Sequence, residues 1–216
     1  MKPILPMLCS LLLTLLALPP GAVLADSESA SLGWDLRQRG DDHALYARDR
    51  AGSDYAEYRM EVRFDADPDA VLAALEHNLF DPEALPANMR RTLVRRDAAA
   101  VVSHDYISVP FLDDRDAVMR TEVLRDVEPG VHVVRWMAIE GEGPAPDEGV
   151  LRMPSSTGSW TLAPEGEGGT RAVYQSHTEL GGSLPRGFVQ SQTEREILSQ
   201  PEAVRRTLRE RDLARR

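Results

Sequence analysis

The sequence predicts an α+β fold, a strongly curved antiparallel sheet closed over by a C-terminal helix. Three observations predict it. Apolar and polar residues alternate with a period of two over most of the stretch from Trp34 to Leu180. One helical interruption opens on Asp67-Pro68, a capping residue followed by proline at the first helical position. From Leu184 the apolar period becomes helical and remains so.

The elements follow in order. Trp34 to Gln38, Ala44 to Arg48 and Tyr58 to Phe64 read as strands, separated by turns at Gly40-Asp41-Asp42 and Ala51-Gly52-Ser53-Asp54. The first helix places Val71, Leu72, Leu75 and Leu79 on one face and ends at Asp81-Pro82. A short second helix is expected within Pro82 to Met89. A meander follows: Thr92 to Arg96, Val101 to Val109, Ala117 to Val127, Val131 to Ile139, Val150 to Met153, Ser159 to Ala163 and Thr170 to Leu180. Gly141 to Gly149 is an acidic loop. The closing helix has Phe188, Ile197, Val204 and Leu208 as apolar anchors, and the capping-box pattern Ser199-Gln200-Pro201-Glu202 predicts a kink or restart. No linker interrupts the chain, so 26–216 is read as one domain.

Residues 1–25 have the layout of a secretory leader: Lys2, an apolar run from Met7 to Leu18, a Pro19-Pro20-Gly21 break, and small residues at Val23 and Ala25. The apolar run is shorter than the roughly 20 residues a membrane-spanning helix needs. Export to the periplasm of a Gram-negative bacterium is the expectation. Cys9, the one cysteine, lies inside that run, so the exported chain has no disulfide and is held by packing alone.

The 216 residues carry a net charge of −10. That excess of acid argues against a nucleic-acid partner, which demands surplus cations. The helical end runs the other way, with eight arginines against five acids from Arg186 to Arg216. Two readings remain open: a solvated face, or attraction to anionic lipid headgroups. A monomer is expected.

Enzyme chemistry finds little support. The five histidines are widely separated, so no local zinc pair exists, and there is no Gly-x-Ser-x-Gly elbow and no glycine-rich phosphate loop. His104 and Asp105 are neighbours in a strand and face opposite ways. Neither a metal nor a cofactor is called for.

Tyr106-Ile107-Ser108-Val109-Pro110-Phe111-Leu112-Asp113-Asp114-Arg115-Asp116-Ala117-Val118 resembles the strand–proline–loop–Arg-Asp signature of START domains, the lipid-transfer domains related to the steroidogenic acute regulatory protein. Gly33 to Leu36 and Ala44 to Arg48 are similar to the opening strands of that family. Val150-Leu151-Arg152 with Gly158 to Leu162 resembles its penultimate strands, and Leu184 to Val189 the start of its closing helix. The ordered matches span residues 32 to 210. The resemblance implies a helix-grip fold enclosing one lipid or sterol-like ligand, with no cofactor and usually no catalysis. Two features depart from the pattern. Phe80-Asp81-Pro82 stands where many members have a tryptophan, and no acid–arginine pair of the kind some sterol binders carry is evident around Arg115-Asp116.

The candidate ligand contacts are His104, Tyr106, Phe111, Leu112, Arg115, Trp136, Tyr174 and Phe188. His104 with Tyr106, and Trp136 and Tyr174 on their own strands, put polar tips on apolar faces, although alternation does not fix which face points inward. Phe111 and Leu112 form a candidate gate beside the closing helix, with packing of the loop as the other reading. For Arg115 a structural tie is favoured over ligand contact. Two further functional readings stand beside the carrier: an enzyme of the same superfamily, of cyclase or hydrolase type, and an interaction protein whose groove is filled by side chains.

Overall fold

The computed structural model describes residues 32–110 and 112–214. The leader, the domain boundary at Asp26 and Phe111 therefore lie outside the described residues. From Trp34 onward the chain forms one unit.

Ten strands make one sheet. They are β1 (Asp35–Arg39), β2 (His43–Arg48), β3 (Glu57–Phe64), β4 (Met89–Arg96), β5 (Val101–Ile107), β6 (Asp114–Glu128), β7 (Val131–Ala138), β8 (Val150–Arg152), β9 (Ser155–Glu165) and β10 (Gly169–Glu179). Their spatial order is β1-β2-β3-β10-β9-β7-β6-β5-β4, every neighbour antiparallel. β8 runs parallel to the start of β6, pairing Asp114 to Asp116 with Val150 to Arg152 just before β7 takes over at Met119. The last strand thus lies between the opening three strands and the meander, while β1 and β4 form the two edges of the sheet.

Two helices pack on one face: α1 (Pro68–Phe80) and α2 (Arg186–Ala214). Asp67 caps α1 as expected, its Oδ1 accepting from the Ala70 N–H at 2.8 Å, and Pro68 needs no donor at that position. Val71, Leu72, Ala74 and Leu75 are buried against Leu45, Met60, Val62, Val134, Trp160 and Leu162 from the sheet, together with Ile197 and Val204 from α2. Thr207 of α2 donates its hydroxyl to Asn78 Oδ1 at 2.7 Å, fixing the two helices to each other.

Three expectations are corrected. The second helix is only a 3-10 turn, Pro82–Ala84, because Pro86 and Asn88 lead straight into β4. β9 starts four residues early, at Ser155. Its Ser-Ser-Thr-Gly opening looks turn-like, yet Gly158 lies opposite Trp136, where an added Cβ would fall 2.2 Å from the indole. Glycine there lets the ring lie across the sheet. Finally, α2 neither restarts nor is capped at Ser199: the helix runs unbroken through Pro201, and the Ser199 hydroxyl bonds back to the Glu196 carbonyl.

Candidate functional site

A cavity of about 220 Å³ opens between the sheet and the first three turns of α2. Ala56 just before β3, Tyr58 of β3, Ser176 and Thr178 of β10 with Leu180 just beyond it, and Val189, Gln190 and Thr193 of α2 line it. Asp49, Asp54 and Tyr55 from the β2–β3 loop, with Arg186, add further polar lining. The register explains the wall: Ser176 pairs with Tyr58, so their side chains project to the same face, the one α2 covers. Burial pushes the Tyr58 phenol up to about 12 and raises Tyr55 as well, so both hydroxyls remain protonated and able to donate at neutral pH.

Deeper along the same face the space is filled. Trp160 stands between Val134 and Tyr174 as their cross-strand partner, with its ring 5.0 Å from Tyr174 in an edge-on arrangement. Trp136 closes on Tyr174 from the other side at 5.7 Å. Burial lifts the Tyr174 phenol to about 12. The hollow is therefore confined to the end of the sheet beneath the amino-terminal half of α2, backed by a three-ring aromatic wall.

No protein-family model matches the chain. An uncharacterised protein of Pseudomonas aeruginosa is 26% identical over 159 residues, covering 73% of this chain and 78% of that protein. Human StAR-related lipid transfer protein 5 shares the fold at a TM-score of 0.69 and 18% identity, over 88% of this chain and 93% of that one. A STAR-related lipid transfer protein from Xanthomonas axonopodis superposes with a TM-score of 0.67 at 26% identity, over 82% of this chain and 99% of that structure. The chain has the fold of the START-related lipid transfer proteins.

Within this fold the expected site residues separate into groups. Trp136 and Tyr174 meet on the helix-covered face, two residues along β10 from Ser176 in the cavity wall. Arg115 lies on that face too but is 3% exposed, with its guanidinium donating to the Leu180 carbonyl at 3.5 Å and to Asp113 O. It ties the start of β6 to the segment that leaves β10. Leu112 and Phe188 are partly exposed, Phe188 at 44%, and neither lines the cavity. The apolar anchor of the first turn of α2 is Val189 instead, because position 188 falls on the outward side of the helix.

His104 and Tyr106 are on the opposite face, away from both helices, so they do not line the cavity. His104 Nε2 meets Asp116 Oδ2 at 2.8 Å, and Arg152 grips Asp116 with two contacts of 2.8 Å while also donating to the Pro144 carbonyl at 2.8 Å. Tyr106 donates to Asp114. Arg152 thereby holds the 139–149 loop against the sheet, while His104 and Tyr106 join β5 to β6. The Arg152 fork, joined by His104, keeps the Asp116 carboxyl below the usual carboxylate range despite its burial. A group depressed in the folded state stabilises it above its unfolded pKa, and that contribution fades as pH falls through the folded value. Acid unfolding should therefore steepen below about pH 4, and Asp116→Asn should flatten that limb when melting temperatures are compared across pH.

The helix side carries a polar pair that no reading of the sequence identified. Arg91 on β4 donates to Asp105 on β5 through Nε at 2.7 Å and Nη2 at 2.5 Å, and through Nη1 to the Leu79 carbonyl at the end of α1. Ser103 adds a hydroxyl to Asp105 Oδ1 at 2.9 Å. An acid–arginine pair thus lies on the face that the helices cover, but its members come from β4 and β5 and not from the neighbourhood of Arg115.

Proposed function

We propose that the protein is a carrier, without catalysis of its own, that holds one hydrophobic or amphiphilic small molecule beneath α2, and that residues 1–25 direct it to the periplasm. The observation that carries this reading is the cavity: a START sheet whose closing helix covers a partly apolar hollow, in a chain 26% identical to a bacterial lipid transfer protein. Apolar burial at about 25 cal/mol per Å² gives a hydrocarbon chain ample affinity for such a space.

At 220 Å³ the closed cavity falls short of the roughly 300–1,000 Å³ of sites that enclose a drug-sized ligand. It receives part of a lipid as it stands, and full loading displaces the first turns of α2. Those turns are lightly held, since only Val189 among residues 186–196 is a buried apolar side chain. Arg195, Arg206 and Arg209 stand exposed along one outward stripe of α2, where each is worth about 1 kcal/mol near an anionic bilayer. These arginines, with the exposed Glu202 among them, support transient contact with an anionic membrane surface.

Thr193 projects from α2 into the cavity, so Thr193→Trp fills it. Titration with an NBD-labelled stearic acid should saturate at one molecule per chain in the wild type. The variant should lose that binding with little change in melting temperature. Absence of saturable binding by the wild type, or equal binding by the variant, contradicts the reading.

A further inference from the structure

We infer that the Tyr58 hydroxyl is the donor that receives the polar end of the ligand, and that this end is neutral: an alcohol or carbonyl oxygen in place of a carboxylate or phosphate. This rests on the ligand reading above and adds to it the chemistry of the head and the residue that recognises it.

Tyr58 is 4% exposed and lines the cavity, where β3 sets it beside Ser176 on the face that α2 covers. A buried phenol ordinarily finds a hydrogen-bond partner. The Tyr58 hydroxyl makes no hydrogen bond among the described residues, so its free donor serves the hollow that it lines. Burial pushes this phenol up to about 12, and the nearby Glu194 carboxylate adds to the effect, so the proton stays in place to be donated. From α2, Thr193 brings a second hydroxyl without a partner to the same space. Its oxygen accepts where that of the ligand donates.

Charge decides which oxygen fits. Arg186 is the one cation among the described lining residues, against Asp49 and Asp54. Its side chain is 65% exposed and already engaged, with Nε donating to the Asp54 carbonyl at 2.7 Å. Arg37 is spent on Glu194 at 2.9 Å, and Gln190 donates to the same carboxylate at 3.0 Å. Arg115 turns its donors onto the Leu180 and Asp113 carbonyls and does not line the hollow. An anionic head brought to Tyr58 therefore sheds its water with no free cation opposite and with Glu194 close by. Burying an unpaired charge costs far more than burying a neutral oxygen that gains a hydrogen bond.

The test compares three 18-carbon probes with NBD on the same carbon: the acid, the primary alcohol and the alkane. At pH 8 the wild-type chain should bind the alcohol about five-fold or more tighter than the ionised acid. Tyr58→Phe keeps the ring, so it should leave the melting temperature and alkane affinity unchanged while weakening the alcohol about five-fold. Acid bound as tightly as alcohol by the wild type overturns the neutral head and leaves the carrier reading intact. Equal affinity of wild type and Tyr58→Phe for the alcohol, or an equal loss for alcohol and alkane, overturns Tyr58 as the donor. Failure of the wild type to bind any of the three overturns the carrier reading as well.

Discussion

Asp105→Ala is expected to destabilise the protein by about 3–5 kcal/mol, the cost of stripping one partner from a buried ion pair. Asp105 is 3% exposed and holds both Arg91 and Ser103. Its removal leaves a guanidinium largely out of water with the Leu79 carbonyl as its remaining acceptor. The loss is more than local, because Arg91 is what fastens the end of α1 to the β4–β5 hairpin. Chemical denaturation should show the drop in midpoint. A double replacement, Arg91→Met with Asp105→Leu, should recover most of it, since two apolar side chains leave no charge stranded. If the single variant unfolds within about 1 kcal/mol of wild type, as an exposed pair would, the pair is not buried as described.

Trp160→Ala should cost a similar amount, about 3–5 kcal/mol. Trp160 is 2% exposed and touches the sheet on both sides through Val134 and Tyr174. Removing the indole deletes the centre of the aromatic wall, and the facing helices cannot collapse into the space because Leu72 and Ile197 are already packed there. The variant also extends the hollow inward from the Tyr58–Ser176 wall. A gain in affinity for a longer-chain probe, alongside the loss of stability, would locate the cavity's inner limit at this residue.

Much of the fold was legible because its signals are local. Asp67-Pro68 announces a helix start whatever surrounds it, and alternation marks strands one by one. The ordered resemblance added the closing helix over the sheet. What alternation leaves open is the face: His104 and Asp105 have equal claims on the interior until a partner strand decides between them. The Asp97–Ala100 turn was the usable signal. Asp97 caps it by accepting from the Ala99 and Ala100 N–H groups, and folding the chain about it sets Arg91 opposite Asp105. That pairing identifies the inward face of β5, and with it places His104 and Tyr106 outside.

Other features were not legible for physical reasons. Phe188 and Val189 are both apolar at the start of α2, and a helix beginning carries too few turns to show which of them points inward. Pro201 reads as a break, but a long helix packed on both a sheet and a second helix tolerates one missing hydrogen bond. The cavity itself arises where the side chains leading into β3 and those of β10 and α2 are small or polar, namely Ala56, Ser176, Thr178 and Thr193. Small residues on separate elements give no pattern until the register aligns them.

The most direct measurement is native mass spectrometry of the protein after incubation with a total lipid extract from a Gram-negative bacterium. A single adduct per chain, released by organic solvent and absent from Thr193→Trp, is the predicted spectrum. A bare protein mass, or the same adducts on the filled variant, would show that no ligand occupies the space beneath α2.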